Sequence, residues 1–153
     1  MRAYASTLAM IGLRVQEKQA RYRVKGGKRR PAPAALIEVG EGSIPFAAIA
    51  TLTRRLGVEP GDLLATIGIS SRTAARRKTQ GALSTEEADR LLRVARVLEE
   101  AIRVFGDAEK AAAWLRTAHP MLGGAAPYRL LDSDAGAKSV SDELIRIDCG
   151  DFA

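Results

Sequence analysis

Side chains able to carry out covalent or acid–base chemistry are scarce in this 153-residue chain, which holds one histidine and one cysteine. His119 stands directly before Pro120 with no second His, Cys or carboxylate cluster nearby, so neither a metal site nor a general base is indicated. A cap or turn role fits it better. Cys149 has no base beside it and reads as a small apolar residue near a helix end rather than a reactive thiol. No nucleophile–base pairing, phosphate loop or metal-ligand spacing is found, so no catalytic residue, metal or cofactor is expected. The chemistry that the side chains do suggest is recognition. Ser70, Ser71, Arg72 and Thr73, followed by Arg76, Arg77 and Lys78, concentrate short polar and cationic groups in one stretch. On a helix, the first of these reach base edges in a major groove and the later cations hold phosphates. The alternative is an ordinary solvated helix face, since Arg is a good helix former.

The charge distribution supports a polyanion partner for the front of the chain. The net charge of +6 divides into +6 over residues 1–43, +4 over residues 44–80 and −4 over residues 81–153. Residues 1–43 read as a basic, partly flexible extension: either a solvated tail or an arm that adds salt-sensitive phosphate contacts. Within it Tyr4, Leu8 and Ile11 have loose helical spacing, and Ala34–Val39 is expected as one short helix before Gly40. No apolar run could span a bilayer, and the short stretch Leu8–Leu13 does not make a signal peptide. With a lone cysteine, the expectation is a soluble, cytoplasmic protein with no membrane partner.

The recognition stretch needs a scaffold, and the pattern provides one. Pro45 suits the first turn of a helix. Ala48, Ile49, Leu52 and Leu56 then share a face, and Gly57 closes it. Pro60 opens a second short helix with Leu63, Leu64 and Ile67 inward, Gly68-Ile69 turns, and Ser70 caps a third helix to about Gln80. Two short helices and a capped Arg-rich one across a glycine turn describe a helix-turn-helix over residues 44–82. Ser84 and Glu87 form a capping box for a long helix ending near Phe105, occupying residues 83–106. It carries two apolar stripes. One is Ala88, Leu91/Leu92, Ala95, Leu98, Ile102 and Phe105; the other is Val94, Val97, Ala101 and Val104. The second stripe indicates either a fully interior helix or a dimer surface, and the pairing habit of helix-turn-helix proteins favours a homodimer.

Residues 107–153 read as a small helical unit. Asp107 caps a helix with Ala111, Trp114 and Leu115 on its buried face, and Trp114 reads as a core anchor. Pro127 starts a one- to two-turn helix with Tyr128, Leu130 and Leu131, and Asp132-Ser133-Asp134 caps the last helix. There Val140, Leu144 and Ile147 are spaced i, i+4, i+7 before Gly150. The whole is expected to be all-α, and the composition of the last forty residues suits a docking surface.

Five motifs in this order carry a family resemblance. They are Gly68-Ile69-Ser70-Ser71-Arg72-Thr73 with Arg76-Arg77-Lys78; Leu83-Ser84-Thr85-Glu86-Glu87-Ala88-Asp89-Arg90-Leu91; Phe105-Gly106-Asp107 with Ala113-Trp114-Leu115; Leu122-Gly123-Gly124-Ala125-Ala126-Pro127 with Leu130-Leu131; and Gly136-Ala137 with Val140, Leu144, Ile147 and Gly150. Over residues 44–153 the chain resembles the Xre/MbcA/ParS antitoxins. The resemblance implies an all-helical, non-enzymatic antitoxin of a type II toxin–antitoxin pair, with an Xre-like DNA-binding part before a toxin-binding part. It implies a RES-domain toxin that consumes NAD+ or transfers ADP-ribose, blocked at its active-site entrance by the antitoxin's C-terminal helix and tail. It also implies repression of its own operator DNA as a dimer within a larger complex. Carried onto this chain, the contact residues are Val140, Leu144, Ile147, Asp148, Gly150, Asp151, Phe152 and Ala153. The tail continues past the glycine with Asp151-Phe152-Ala153, a departure from the family pattern. Asp148 and Asp151 offer carboxylates that could pair with basic toxin groups. The competing reading is a one-component helix-turn-helix regulator whose C-terminal part only dimerises or senses a small ligand, although no aromatic or polar cluster marks a pocket.

Overall fold

The structure, a computed structural model, describes residues 7–10, 12–14, 37–38 and 43–150. Three helices, α1 (Ala48–Leu56), α2 (Pro60–Thr66) and α3 (Ser71–Gln80), form the helix-turn-helix region. As the apolar spacing requires, Ala48, Ile49, Leu52 and Leu56 are buried, and so are Leu63 and Ile67 in the next turn of the chain, whereas Leu64 is half-buried. Pro45 differs from expectation. It lies in an antiparallel bridge with Ala82, flanked by Phe46 N–H donating to Gly81 (3.0 Å) and Leu83 N–H donating to Ile44 (2.9 Å). This ties the start of the region to its end, and α1 begins three residues later, at Ala48.

The long helix α4 (Thr85–Phe105) is enclosed by the rest of the chain. Its exposed positions beyond the first turn, Asp89, Arg96 and Arg103, recur every seventh residue and make one narrow strip. Gly106, at φ 67°, allows the chain to reverse into α5 (Ala108–Arg116), with Asp107 accepting from the Lys110 N–H at 2.8 Å. Two short 3-10 turns follow, Pro120–Leu122 and Pro127–Asp132, and then α6 (Asp134–Asp148). Helices α5 and α6, the second 3-10 turn and α1 all pack on α4. Val94, Val97 and Ala101 are therefore buried inside the single chain and Val104 is half-buried. The second stripe is an interior face, and the dimer surface expected at these residues is corrected accordingly. The chain folds its own second layer over them.

Polar pairs align α6 with α4. Arg93 bonds Asp134 (2.7 Å), the Ser141 hydroxyl donates to Glu100 (2.7 Å), and Arg103 bonds Asp148 (3.0 Å). The partner numbers rise together along both helices, so α4 and α6 run in the same direction. Gly136 is required where α6 packs on the second 3-10 turn, because a β-carbon there would collide with the Leu130 carbonyl.

Part of the N-terminal segment belongs to the body. Residues 7–10 are helical, Leu8 is buried, and the Thr7 hydroxyl donates to Glu99 on α4 at 2.8 Å. Leu13–Arg14 (β1) and Ile37–Glu38 (β2) pair in parallel, so the helix expected over Ala34–Val39 is replaced by a strand at 37–38. This pairing joins residues far apart in the chain, which local spacing does not reveal. Tyr4, Ile11 and the basic tract 18–30 lie outside the described residues. Apart from this two-residue ladder and isolated bridges, the described architecture is all-α.

The capping box of α4 is complete. Glu87 N–H donates to the Ser84 hydroxyl (3.3 Å), Ser84 N–H donates to Glu87 (2.8 Å), and Arg77 of α3 bonds the same carboxylate at 2.7 Å. Burial raises the Glu87 pKa, but the Ser84 amide and the Arg77 guanidinium more than offset this, leaving it below its ordinary 4.5. Stability from this carboxylate is thus full above pH 4.5 and is lost as the pH falls through the lowered value. Thermal melts of wild type and Glu87→Gln should differ at pH 7, and the gap should close in acid; a gap independent of pH would refute the linkage. Leu98 is fully buried on α4. Leu98→Ala should cost about 3 kcal/mol, lowering Tm by roughly 10 °C, as read by calorimetry.

Candidate nucleic-acid and partner interfaces

Ser70 places α3. Its backbone is extended, and its hydroxyl accepts from the Thr73 N–H (3.2 Å) while bonding the Thr73 hydroxyl (3.1 Å). Within α3 only Ala74 is buried, seated with the preceding Ile69 against the body. The turn of 3.6 residues then puts Arg72, Arg76 and Thr79 on the opposite, exposed side, with Ser71, Ala75 and Lys78 along one edge. Among the described residues no ion pair engages Arg72, Arg76 or Lys78. The helix itself carries no carboxylate. This face is an uncompensated cationic ridge preceded by small hydroxyl groups, the arrangement that suits a groove with phosphate walls.

Two residues expected on that face are differently engaged. Arg77 turns inward, with its side chain 21% exposed, to Glu87 and, through Nη1, to the Gln80 side-chain Oε1 at 3.0 Å. Its charge is paired with Glu87, unlike those of Arg72, Arg76 and Lys78. Thr73 is half-buried and its hydroxyl is tied to Ser70.

The second surface lies on α6 and also departs from expectation. Val140 and Leu144 are fully buried in the chain's own core, so they build the domain and are not available to a partner. The i, i+4 spacing that singled them out reports the inward face. Ile147 is half-buried, Gly150 is exposed, and Asp148 is exposed but paired with Arg103. Asp151, Phe152 and Ala153 lie outside the described residues. Sequence reasoning missed Ile145, 49% exposed, and Met121, 60% exposed, the large apolar side chains best exposed among the described residues. For Ile145 a signal existed: it is apolar and out of phase with Val140 and Leu144. Met121 belongs to the first 3-10 turn, which packs on α6. Both therefore mark the same C-terminal unit.

The remaining chemistry-bearing residues have structural surroundings. The His119 ring stacks at 4.8 Å on Trp114, which also meets Phe105 at 5.7 Å. His119 Nε2 lies 3.0 Å from the Trp114 carbonyl at the end of α5, and its backbone bridges to Ala125. Trp114 is half-buried and packs against the core. Cys149 is exposed. Among the described residues no group of three His, Cys, Asp or Glu side chains could hold a metal ion, and no helix is long and apolar enough to cross a membrane.

The two surfaces correspond to two known domains. Residues 35–96 match the antitoxin Xre-like helix-turn-helix domain, and residues 100–150 match the antitoxin Xre/MbcA/ParS C-terminal toxin-binding domain. The first match begins upstream of residue 44, taking in the strand at 37–38. Similar proteins include Antitoxin Xre of Yersinia enterocolitica, 36% identical over 98 residues, covering 63% of this chain and 66% of the relative. Antitoxin Xre of Photorhabdus laumondii is 36% identical over 92 residues, 59% of this chain and 62% of the relative. Antitoxin Xre of Pseudomonas putida is 35% identical over 65 residues, 42% of this chain and 41% of the relative. The matched segments thus span less than two thirds of each relative's length. With a helix-turn-helix domain followed by a toxin-binding domain, each matched by its family model, the chain belongs to the Xre-type antitoxins.

Proposed function

We propose that this chain neutralises a RES-domain toxin that consumes NAD+ or transfers ADP-ribose, and represses its own operon as a cytoplasmic homodimer within a larger toxin–antitoxin complex. It does so by binding and not by catalysis. The observation that carries this reading is the separation of two uncommitted surfaces along one helix. The α3 ridge is fixed beside Glu87 on α4, and the end of α6 is fixed beside Arg103. Glu87 and Arg103 are sixteen positions apart on the helix, about 24 Å at 1.5 Å per residue. DNA at one surface therefore leaves the other accessible.

On the DNA side, Ser70, Ser71, Arg72, Arg76 and Lys78 make the contacts, Ser71 and Arg72 near the helix start being best placed for base edges. On the toxin side, the occluding element is the exposed side of α6 with Ile145, continued by Gly150, Asp151, Phe152 and Ala153. Val140 and Leu144 hold that element in place from beneath. The division into an extension (1–43), a DNA-binding region (44–82), a central helix (83–106) and a toxin-binding unit (107–153) describes the proposed labour, with residues 7–10 of the extension packed on the body.

Arg72→Ala and Arg76→Ala should each weaken binding to DNA from upstream of the chain's own coding sequence by about tenfold or more, a loss of 1–3 kcal/mol per base contact. Co-purification with the toxin should be unchanged; an equal loss of both would sink the two-surface reading. Ile145→Asp, and deletion of Asp151–Ala153, should abolish rescue of cells expressing the proposed RES-domain toxin while leaving Tm within about 2 °C. Undiminished rescue by both variants would rule out the occluding tail. If no such toxin co-purifies with the wild-type chain, the one-component regulator becomes the better account.

A further inference from the structure

The recognition helix is held to the body by little apolar surface. Its single buried side chain is Ala74, and Ile69 precedes it. A helix of ten residues is about 15 Å long, so a tilt of about 10° about one end displaces the other by roughly 2.6 Å, far outside the spread of hydrogen-bond distances. Something other than apolar packing must define its angle.

Polar contacts from α4 reach α3 and the turn before it. Toward the C-terminal half of α3, Arg77 Nε donates to Glu87 at 2.7 Å from one oxygen and 3.1 Å from the other. The same carboxylate accepts the Ser84 N–H at 2.8 Å, so it is fixed to the backbone at the helix start and cannot swing with Arg77. Toward the N-terminal side, Arg90 Nη1 donates to the Ile67 carbonyl at 3.3 Å, where α2 ends. Gly68 makes room for it, since a β-carbon there would stand 2.7 Å from the guanidinium. Glu87 and Arg90 are three residues apart and so share one side of α4.

We infer that Arg77 and Glu87 are positioning residues for DNA recognition: together with Arg90 they set the angle at which α3 enters the groove, without touching the DNA. This rests on the DNA-binding reading of α3. It assigns opposite roles to neighbouring arginines, Arg76 facing outward to phosphate or base and Arg77 facing inward to Glu87. Each inward partner of the clamp comes from α4 or the cap before it, so the fixed reference for the recognition helix is the central helix.

The test measures binding of the full-length chain to its own upstream DNA and to an unrelated duplex of equal length, across a range of salt. Glu87→Gln keeps a carbonyl acceptor for the Ser84 N–H, and Arg77→Gln leaves the capping box intact, so both variants are expected to fold. Each should reduce the preference for the upstream DNA by tenfold or more with the slope of log affinity against log salt unchanged. Arg77→Lys should restore much of the preference, and the double variant should be no worse than the worse single one. Arg72→Ala or Arg76→Ala should instead lower the salt slope by about 1 where the lost contact is to phosphate. A lowered slope for Arg77→Gln with no effect of Glu87→Gln would make Arg77 a phosphate contact and overturn the clamp. So would unchanged preference in both variants, or strictly additive losses. A wild-type chain that shows no preference for its upstream DNA would overturn the DNA-binding reading itself, and the clamp with it.

Discussion

A 21-residue helix that exposes only a narrow strip after its first turn has to be covered on every other side, and the fold is arranged to do so. Helix α1 covers it from the N-terminal region, α5 doubles back on it after Gly106, and α6 runs beside it. Buried Leu92, Ala95, Leu98 and Val97 are spread around more than half of the helix circumference, so no single neighbour covers them all. A helix apolar on most of its circumference is stable in water only inside such a sheath. The DNA-binding region and the toxin-binding domain thus share one core, with Leu52, Leu63, Leu98, Leu131 and Leu144 in a single cluster.

Two sets of basic residues on this scaffold differ in their partners. Arg77, Arg93 and Arg103 meet carboxylates and set where one helix lies on another. Several of these partners are well exposed, Asp134 almost entirely, so each such pair adds under about 1 kcal/mol to stability and matters more for alignment. Arg72, Arg76 and Lys78 meet no carboxylate among the described residues and lie together on one helix. Position in the chain does not separate the groups, for Arg76 and Arg77 are adjacent. The rotation of about 100° between successive helical residues does.

That distinction marks the boundary of what the sequence makes legible. Caps are local chemistry, so Ser70, the Ser84–Glu87 box, Asp107 and the Gly57 stop could be read directly from residue types a few positions apart. The pairing of Arg77 with Glu87 depends on how α3 crosses the start of α4, and nothing in the ten-residue separation announces it. Burial by one's own chain and burial by a partner also leave the same apolar spacing. Val94, Val97 and Ala101 looked like a dimer seam and Val140 and Leu144 like a docking stripe, yet all five are internal. The residue that breaks the period, Ile145, was the better guide to the outer surface. The pairing of Leu13–Arg14 with Ile37–Glu38 eluded local reading because it joins distant segments.

The shared direction of α4 and α6 has a mechanical meaning. Because Val140 and Leu144 are buried in the shared core, with Arg93–Asp134 and Arg103–Asp148 aligning the two helices, α4 and α6 form a doubled strut. Sliding of one helix past the other would draw Val140 and Leu144 out of the core as well as break the Ser141–Glu100 bond. The end of α6 is therefore held at a fixed offset from α3, and the chain sets that offset as a ruler does.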